Sequence, residues 1–178
     1  MSNLITRLNL LGIRKTHFQR CLAPKQIDAG HLTYSELDVF QREQFMTNAT
    51  SECWTAMRKA ARNDNIILQL VSAYRSIDYQ CNLIKGKIEK GRTIDEILKN
   101  NVIPGYSEHH TGRALDLTTP GSEVLEETFE DSTAFDWLKT HAHQYHFRMT
   151  YPRDNEYGVN YEPWHWFCTK NPDEVLLD

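Results

Sequence analysis

The sequence predicts an α+β fold: a single domain with a central, mostly antiparallel sheet and helices packed on one side. Segments of helical and strand periodicity follow one another in mixed order rather than as regular β-α-β units, and the last third reads as strands joined by turns. No repeat, low-complexity tract or Pro/Gly/Ser-rich linker divides the chain. Its 178 residues, 40% of them hydrophobic, suffice for one packed core.

Residues 1–49 match no usable motif and are expected as an N-terminal extension packed on a core of about residues 50–170. The stretch TSECWTAMRKAAR, Thr50 to Arg62, repeats Trp54, Met57, Ala60 and Ala61 at helical spacing behind a Thr/Ser start, which predicts an amphipathic helix. NIILQLVSAYRS is apolar and β-branched and reads as a buried strand ending near Ser72, with Tyr74, Arg75 and Ser76 at its exit. Ile77, Cys81, Ile84 and Ile88 then recur at helical intervals up to Gly91. Thr93 and Glu96 have the spacing of a capping box and open a short helix through about Lys99. Pro104 and Gly105 mark a polar loop. RALDLTT alternates as a strand, with Ala114, Asp116 and Thr118 on one face and Leu115 and Leu117 on the other. Asp131 or Ser132 caps a helix expected to reach Tyr145, since Phe135, Leu138 and Ala142 share a face. FRMTYP, a turn around residues 154–158 and VNYEPWHWF complete the pattern as two strands.

Charge and composition exclude several classes of function. A net charge of -4 argues against a nucleic-acid partner, which requires a basic face. No stretch approaches the roughly 18 apolar residues of a membrane span. The apolar run near the start is broken by Arg7, Asn9, Arg14 and Lys15, so the chain as written is expected to be cytoplasmic; one shorn of its signal peptide would read the same, and would belong to the periplasm or cell envelope. Cys21, Cys53, Cys81 and Cys168 form no CxxC pair and are expected as buried or half-buried free thiols.

Chemistry concentrates in YSEHHTGRALDL, Tyr106 to Leu117, and in EPWH, Glu162 to His165. His109, Asp116 and His165 offer two imidazoles and a carboxylate, a donor set that zinc accepts in catalytic sites with one position left open. Glu162 stands three residues before His165, on the opposite face of an extended strand unless the chain bends, and Pro163 allows the bend. A carboxylate beside such a centre can serve as general base and then general acid. Taken singly, adjacent loop histidines are more often solvated than metal-bound, and EPWH is equally an aromatic strand packing on the core. Their conjunction with Ser107, Gly112, Ala114 and the Arg75 segment distinguishes this chain.

SEHHTGRALD fits the pattern SxHxxGxAxD, EPWH fits ExWH, and SAYRSIDYQ is similar to a YRSxxxQ segment. With these motifs the chain resembles the zinc D-alanyl-D-alanine carboxypeptidases of the vancomycin-resistance type, in the hedgehog and lysostaphin-like metallopeptidase fold group. The resemblance spans about Thr50 to Trp166 and includes a closing hairpin, YPRDNEYGVNYEPWHW. It implies a zinc site in a cleft, with His109, Asp116 and His165 as ligands and Glu162 as catalytic base. His110 is then not a ligand. Arg75 matches an arginine that meets the substrate carboxylate or the developing oxyanion, and Gln80 and Ser107 match positions that hydrogen-bond the substrate. Trp164, beside a ligand, is a candidate substrate contact. The chain departs from the pattern at His110, usually glutamine, at Phe167 and Cys168, often arginine and tyrosine, and at Thr150, often arginine.

The expected function is removal of the terminal D-alanine from a peptidoglycan stem peptide or its precursor. L,D-carboxypeptidase, dipeptidase and endopeptidase activities on cell-wall peptides are alternatives within the fold group, and a non-catalytic binding module is one outside enzymology. His17, His31, His141, His143 and His146 have no ligand partners in any motif, and the aromatic residues Trp137, Tyr145, Tyr151, Tyr157, Tyr161 and Trp166 are read as packing. The oligomeric state is left open.

Overall fold

The computed structural model describes residues 4–170. Their order is α1 (Leu4–Leu10), α2 (Lys15–Arg20), β1 (Thr33–Leu37), β2 (Glu43–Met46), α3 (Asn48–Asn63), β3 (Gln69–Ser72), α4 (Ile77–Glu89), α5 (Ile94–Ile97), β4 (Ala114–Thr118), α6 (Thr133–His141), β5 (Phe147–Met149) and β6 (His165–Cys168). Strands β3, β4, β6 and β5, in that spatial order, form an antiparallel sheet, while β1 and β2 pair separately. No helix among the described residues is long and apolar enough to cross a membrane.

The alternation in β4 decides where everything else goes. Leu115 and Leu117 turn to the main core, where they meet Trp54, Met57 and Ala61 of α3, Phe135 and Leu138 of α6, and Trp166 of β6. Ala114, Asp116 and Thr118 take the other face, as a period of two requires, and they too are buried. A second apolar cluster, Leu8, Ile13, Cys81, Ile84, Ile97 and Ile103, joins α1, α4 and α5. Asp116 therefore lies behind the main core, on a strand covered on both sides.

Local signals place most helix ends. Thr47, not Thr50, caps α3 by accepting the Thr50 amide, so the helix starts earlier than the Thr/Ser run suggests. Ser76 and Ser132 cap α4 and α6 in the same way. The Thr93–Glu96 capping box forms, but α5 closes after one turn at Ile97 rather than Lys99. Helix α6 stops at His141; a 3₁₀ turn continues to Tyr145 and His146 takes a left-handed φ of 63°.

The last third departs most from the expected strands. FRMTYP pairs only over Phe147–Met149, and VNYEPWHWF only over His165–Cys168. The intervening loop folds on Asn155, whose Oδ1 accepts the Tyr157 and Val159 amides while its Nδ2 donates to the Pro152 and Val159 carbonyls. A turn then brings the His165 amide onto the Glu162 carbonyl at 3.1 Å. The expected hairpin is thus two short strands spanned by a structured loop, because side-chain hydrogen bonds compete with a ladder.

Residues before Thr50 contribute the β1–β2 pair, which had no signature in the sequence. Gln44 accepts the Ala73 amide, Arg42 donates to the Val71 carbonyl, and the Thr47 amide donates to the Gly112 carbonyl. Gly112 has φ 66°, and a Cβ there would lie 2.7 Å from Leu32 Cδ2 and 3.3 Å from the Thr47 nitrogen. Gly112→Ala is expected to cost about 1–3 kcal/mol of stability, from left-handed strain plus crowding; denaturant unfolding measures it. All four cysteines are free thiols, three buried and Cys21 half-buried. Burial and the neighbouring Cys168 push the Cys53 thiol up to about 12. A thiol reagent at pH 8 is expected to label Cys21 first and Cys53 only as the chain unfolds, as mass spectrometry of the labelled peptides would show.

Candidate active site

Three segments converge behind β4. The exit of β3, Ala73 to Arg75, runs against a 3₁₀ turn over Glu108–Thr111, and the Arg75 amide donates to the His109 carbonyl at 3.2 Å. Strand β4 carries Asp116 beside both, and its neighbour β6 opens with His165 directly opposite Asp116. His109, Asp116 and His165 are all buried, with their nearest donor atoms within 4.8 Å of one another.

His109 Nδ1–H donates to the Ala73 carbonyl at 2.6 Å, which leaves Nε2 facing Asp116 Oδ1 at 3.2 Å. His165 reverses the arrangement: Nδ1 faces Asp116 Oδ1 at 3.1 Å, and Nε2–H donates to Glu108 at 2.9 Å. Each ring is thus oriented by an acceptor on its far nitrogen, the outer support that metal-binding histidines use. The 3.1 and 3.2 Å spacings approach the roughly 3.3 Å edge of a tetrahedron with ligands about 2.05 Å from its centre. Two imidazoles and one carboxylate in this arrangement fit zinc.

Electrostatics agrees with the geometry. Burial works against charge on Asp116, but His109, His165 and Arg75 overcome it and hold the carboxyl well below the usual range. Burial also opposes charge on His165, yet hydrogen bonds to Asp116 and Glu108 raise it to about 10. His109, buried and near Arg75, is pushed down to about 4. The cluster is acidic enough to hold a proton on one ring, and a divalent cation would take that proton's place.

Glu162 lies 3.8 Å from His165 Nδ1, in the turn that replaces the expected strand, and burial raises its pKa to about 7. Arg75 Nη2 lies 3.8 Å from Asp116 Oδ2, while its buried Nε has no partner among the described residues. Gln80, buried on α4, donates to the Val102 carbonyl, and its Oε1 has no partner among the described residues. Arg75, Gln80, Ser107, His109, Glu162 and His165 line one small cavity of about 30 Å³. Trp164 lies outside it, on a contiguous cleft of about 330 Å³ that shares Arg75, Asn100, Asn101 and Glu162.

Three features went unread in the sequence. Glu108, an unassigned x within the motif, supports His165. Tyr151, read as packing, stacks on the His165 ring at 4.7 Å and also lines the small cavity. His110, the departure from the pattern, is buried: its Nδ1–H donates to the Arg75 carbonyl at 2.6 Å and its Nε2 accepts the Gly105 amide at 3.1 Å. A glutamine can make the same donor–acceptor pair, which accounts for the exchange at this position. Only chain-distant partners reveal these roles, although the acidic neighbour of His109 was a signal that could have been weighed.

A model of the VanY D-alanyl-D-alanine carboxypeptidase family matches residues 43–169. YodJ of Bacillus subtilis (strain 168) is 30% identical over 143 residues, which cover 77% of this chain and 51% of YodJ. The chain spans about half the length of the curated relatives it matches. The solved structure of the LdcB LD-carboxypeptidase superposes with a TM-score of 0.71 at 26% identity, covering 83% of this chain and 74% of LdcB. A mutant of the vancomycin-resistance D,D-pentapeptidase VanY, solved in complex with Zn(II), gives a TM-score of 0.63 at 26% identity and 83% coverage of each chain. On the family match over most of its length and the shared fold, the chain belongs to the VanY family of D-alanyl-D-alanine carboxypeptidases.

Proposed function

We propose that this protein is a zinc carboxypeptidase that releases the terminal D-alanine from peptidoglycan stem peptides or their precursors. The observation that carries the proposal is the buried His109–Asp116–His165 cluster with Glu162 beside it on a small cavity. His109, Asp116 and His165 would hold zinc, which when bound would supply Lewis-acid polarisation and an acidified water.

The chain's own groups carry the remaining work. Glu162, its affinity for protons raised by burial, takes a proton from the attacking water as the oxygen adds to the carbonyl carbon. It then returns that proton to the leaving amine as the C–N bond breaks, giving free alanine and a shortened peptide. Arg75, with a buried N–H to spare, meets the negative charge that develops on the carbonyl oxygen or the terminal carboxylate. Gln80 and Ser107, which line the small cavity, offer hydrogen bonds to the terminal residue. Tyr151 and Glu108 hold the His165 ring in place from its face and its far nitrogen.

A second reading, L,D-carboxypeptidase, is favoured by the likeness to LdcB. It keeps every role above and changes only the residue that precedes the released alanine. A panel of stem pentapeptide, stem tetrapeptide and free D-Ala-D-Ala, followed by mass spectrometry, separates the readings. Loss of alanine from the pentapeptide is expected; loss from the tetrapeptide alone would select the second reading.

Treatment with a chelator is expected to abolish alanine release, and added zinc to restore it; full turnover without metal would refute the mechanism. Glu162→Gln should retain stoichiometric zinc yet lose roughly a hundredfold to ten-thousandfold in kcat. His109→Ala should lose zinc on dialysis, whereas His110→Gln should keep it, because His110 touches only backbone. Metal analysis of the two dialysed variants reads this directly, and the opposite pattern would move the ligand assignment by one residue.

A further inference from the structure

The 330 Å³ cleft contains a cation that the mechanism leaves unused. Lys87, on α4, lines the cleft with Arg75, Leu83, Glu126 and Trp164. It is half-buried on its helix, and its Nζ donates to Asn101 Oδ1 at 3.0 Å. No carboxylate pairs with it among the described residues, so two of its three N–H donors lack a protein acceptor there. Burial, then Arg92 and Arg75, lower its pKa, as expected for a cation held among cations. On the cleft lining, Glu126 is exposed and makes no ion pair among the described residues, whereas its neighbour Glu127 pairs with Arg153.

The two cavities divide the substrate unequally. The 30 Å³ cavity against the ligand cluster has room for little more than a water molecule. Any longer part of a substrate must occupy the cleft, so the cleft receives the stem. Its lining includes Arg75, Asp116 and Glu162, which the mechanism already uses, and Glu127, which pairs with Arg153; beyond these it presents the Lys87 ammonium, the Glu126 carboxylate and the apolar side chains of Leu83, Leu125 and Trp164. That combination matches an alkyl side chain bearing both an amine and a carboxylate.

Resting on the function proposed above, we propose that Lys87 is a specificity-determining residue. It selects stem peptides whose third residue carries a free side-chain carboxylate, as diaminopimelate does, over peptides with lysine at that position. A lysine side chain offers its amine to Glu126 but supplies no anion for Lys87.

The test uses the full chain loaded with zinc and three synthetic pentapeptides that differ only at the third residue: diaminopimelate, lysine, and diaminopimelate with its side-chain carboxylate amidated. Alanine release gives kcat/KM for each. The wild-type protein is expected to favour the free carboxylate by about tenfold over both others, the scale of one charge-assisted hydrogen bond. Lys87→Gln should reduce that ratio to within about threefold, and Lys87→Arg should preserve most of it. Equal rates on the three peptides, or a ratio unchanged in Lys87→Gln, would overturn the role of Lys87 while leaving the carboxypeptidase reading intact. Release from none of the peptides would overturn that reading, and the selectivity with it. If Lys87→Gln fails to fold, Lys87→Met removes the same charge and carries the same expectation, and an unchanged ratio there would overturn the role of Lys87.

Discussion

Asp116 is a carboxylate held out of water in the middle of a central strand, and the surrounding structure can be understood as the means of tolerating it. An isolated buried anion would cost several kcal/mol or simply take up a proton. Here two imidazoles and a guanidinium surround it and hold it ionised. Each compensating group comes from a different segment: the turn before β4, the start of β6 and the exit of β3. The same convergence that neutralises the carboxylate brings together three donors that could hold a metal ion.

Holding those segments together requires a second layer that makes no contact with the reacting atoms. His110 links the Arg75 carbonyl to the Gly105 amide, while its own carbonyl accepts the Ala29 amide. Gln44 fastens the Ala73 amide from the N-terminal strand pair, and Ala73 in turn offers its carbonyl to His109. Glu108 does for His165 what Ala73 does for His109. Gly112 lets the turn close against Leu32 and Thr47, where any side chain would collide. The N-terminal residues are thus built into the support of the site as well as its surroundings. Arg75 owes its place to this layer: its backbone is held at both amide and carbonyl, so the guanidinium begins from a fixed point.

Legibility in the sequence followed the range of the interaction. The helix over α3, the strand β4 and its two faces, the cap at Ser132 and the capping box at Thr93 were readable because each depends on residues within a turn or on simple alternation. The two expected strands flanking residues 150–164 were too long. Asn155 engages four backbone groups in that loop and so competes with pairing, an outcome that periodicity does not register. The β1–β2 pair was missed because only part of its support is local: Asp38 accepts from Arg42 and Gln44 across the turn, but the same two side chains also bond Val71 and Ala73, 29 residues away.

The same division runs through the site. By itself, the sequence determined the inventory: which segments carry imidazoles and carboxylates, that Asp116 shares a strand face with Ala114 and Thr118, and, through the family motifs, which histidine of the pair at 109 and 110 to expect in the cluster. Only the tertiary structure decided which ring nitrogen faces the centre, that Glu108 and Tyr151 stand beside His165, that His110 is a backbone clasp, and that Lys87 lines the cleft with no ion pair among the described residues. The reason is physical. Residue type and local spacing set what a side chain can do, whereas burial and partners up to 57 residues away set its tautomer, its charge and its orientation.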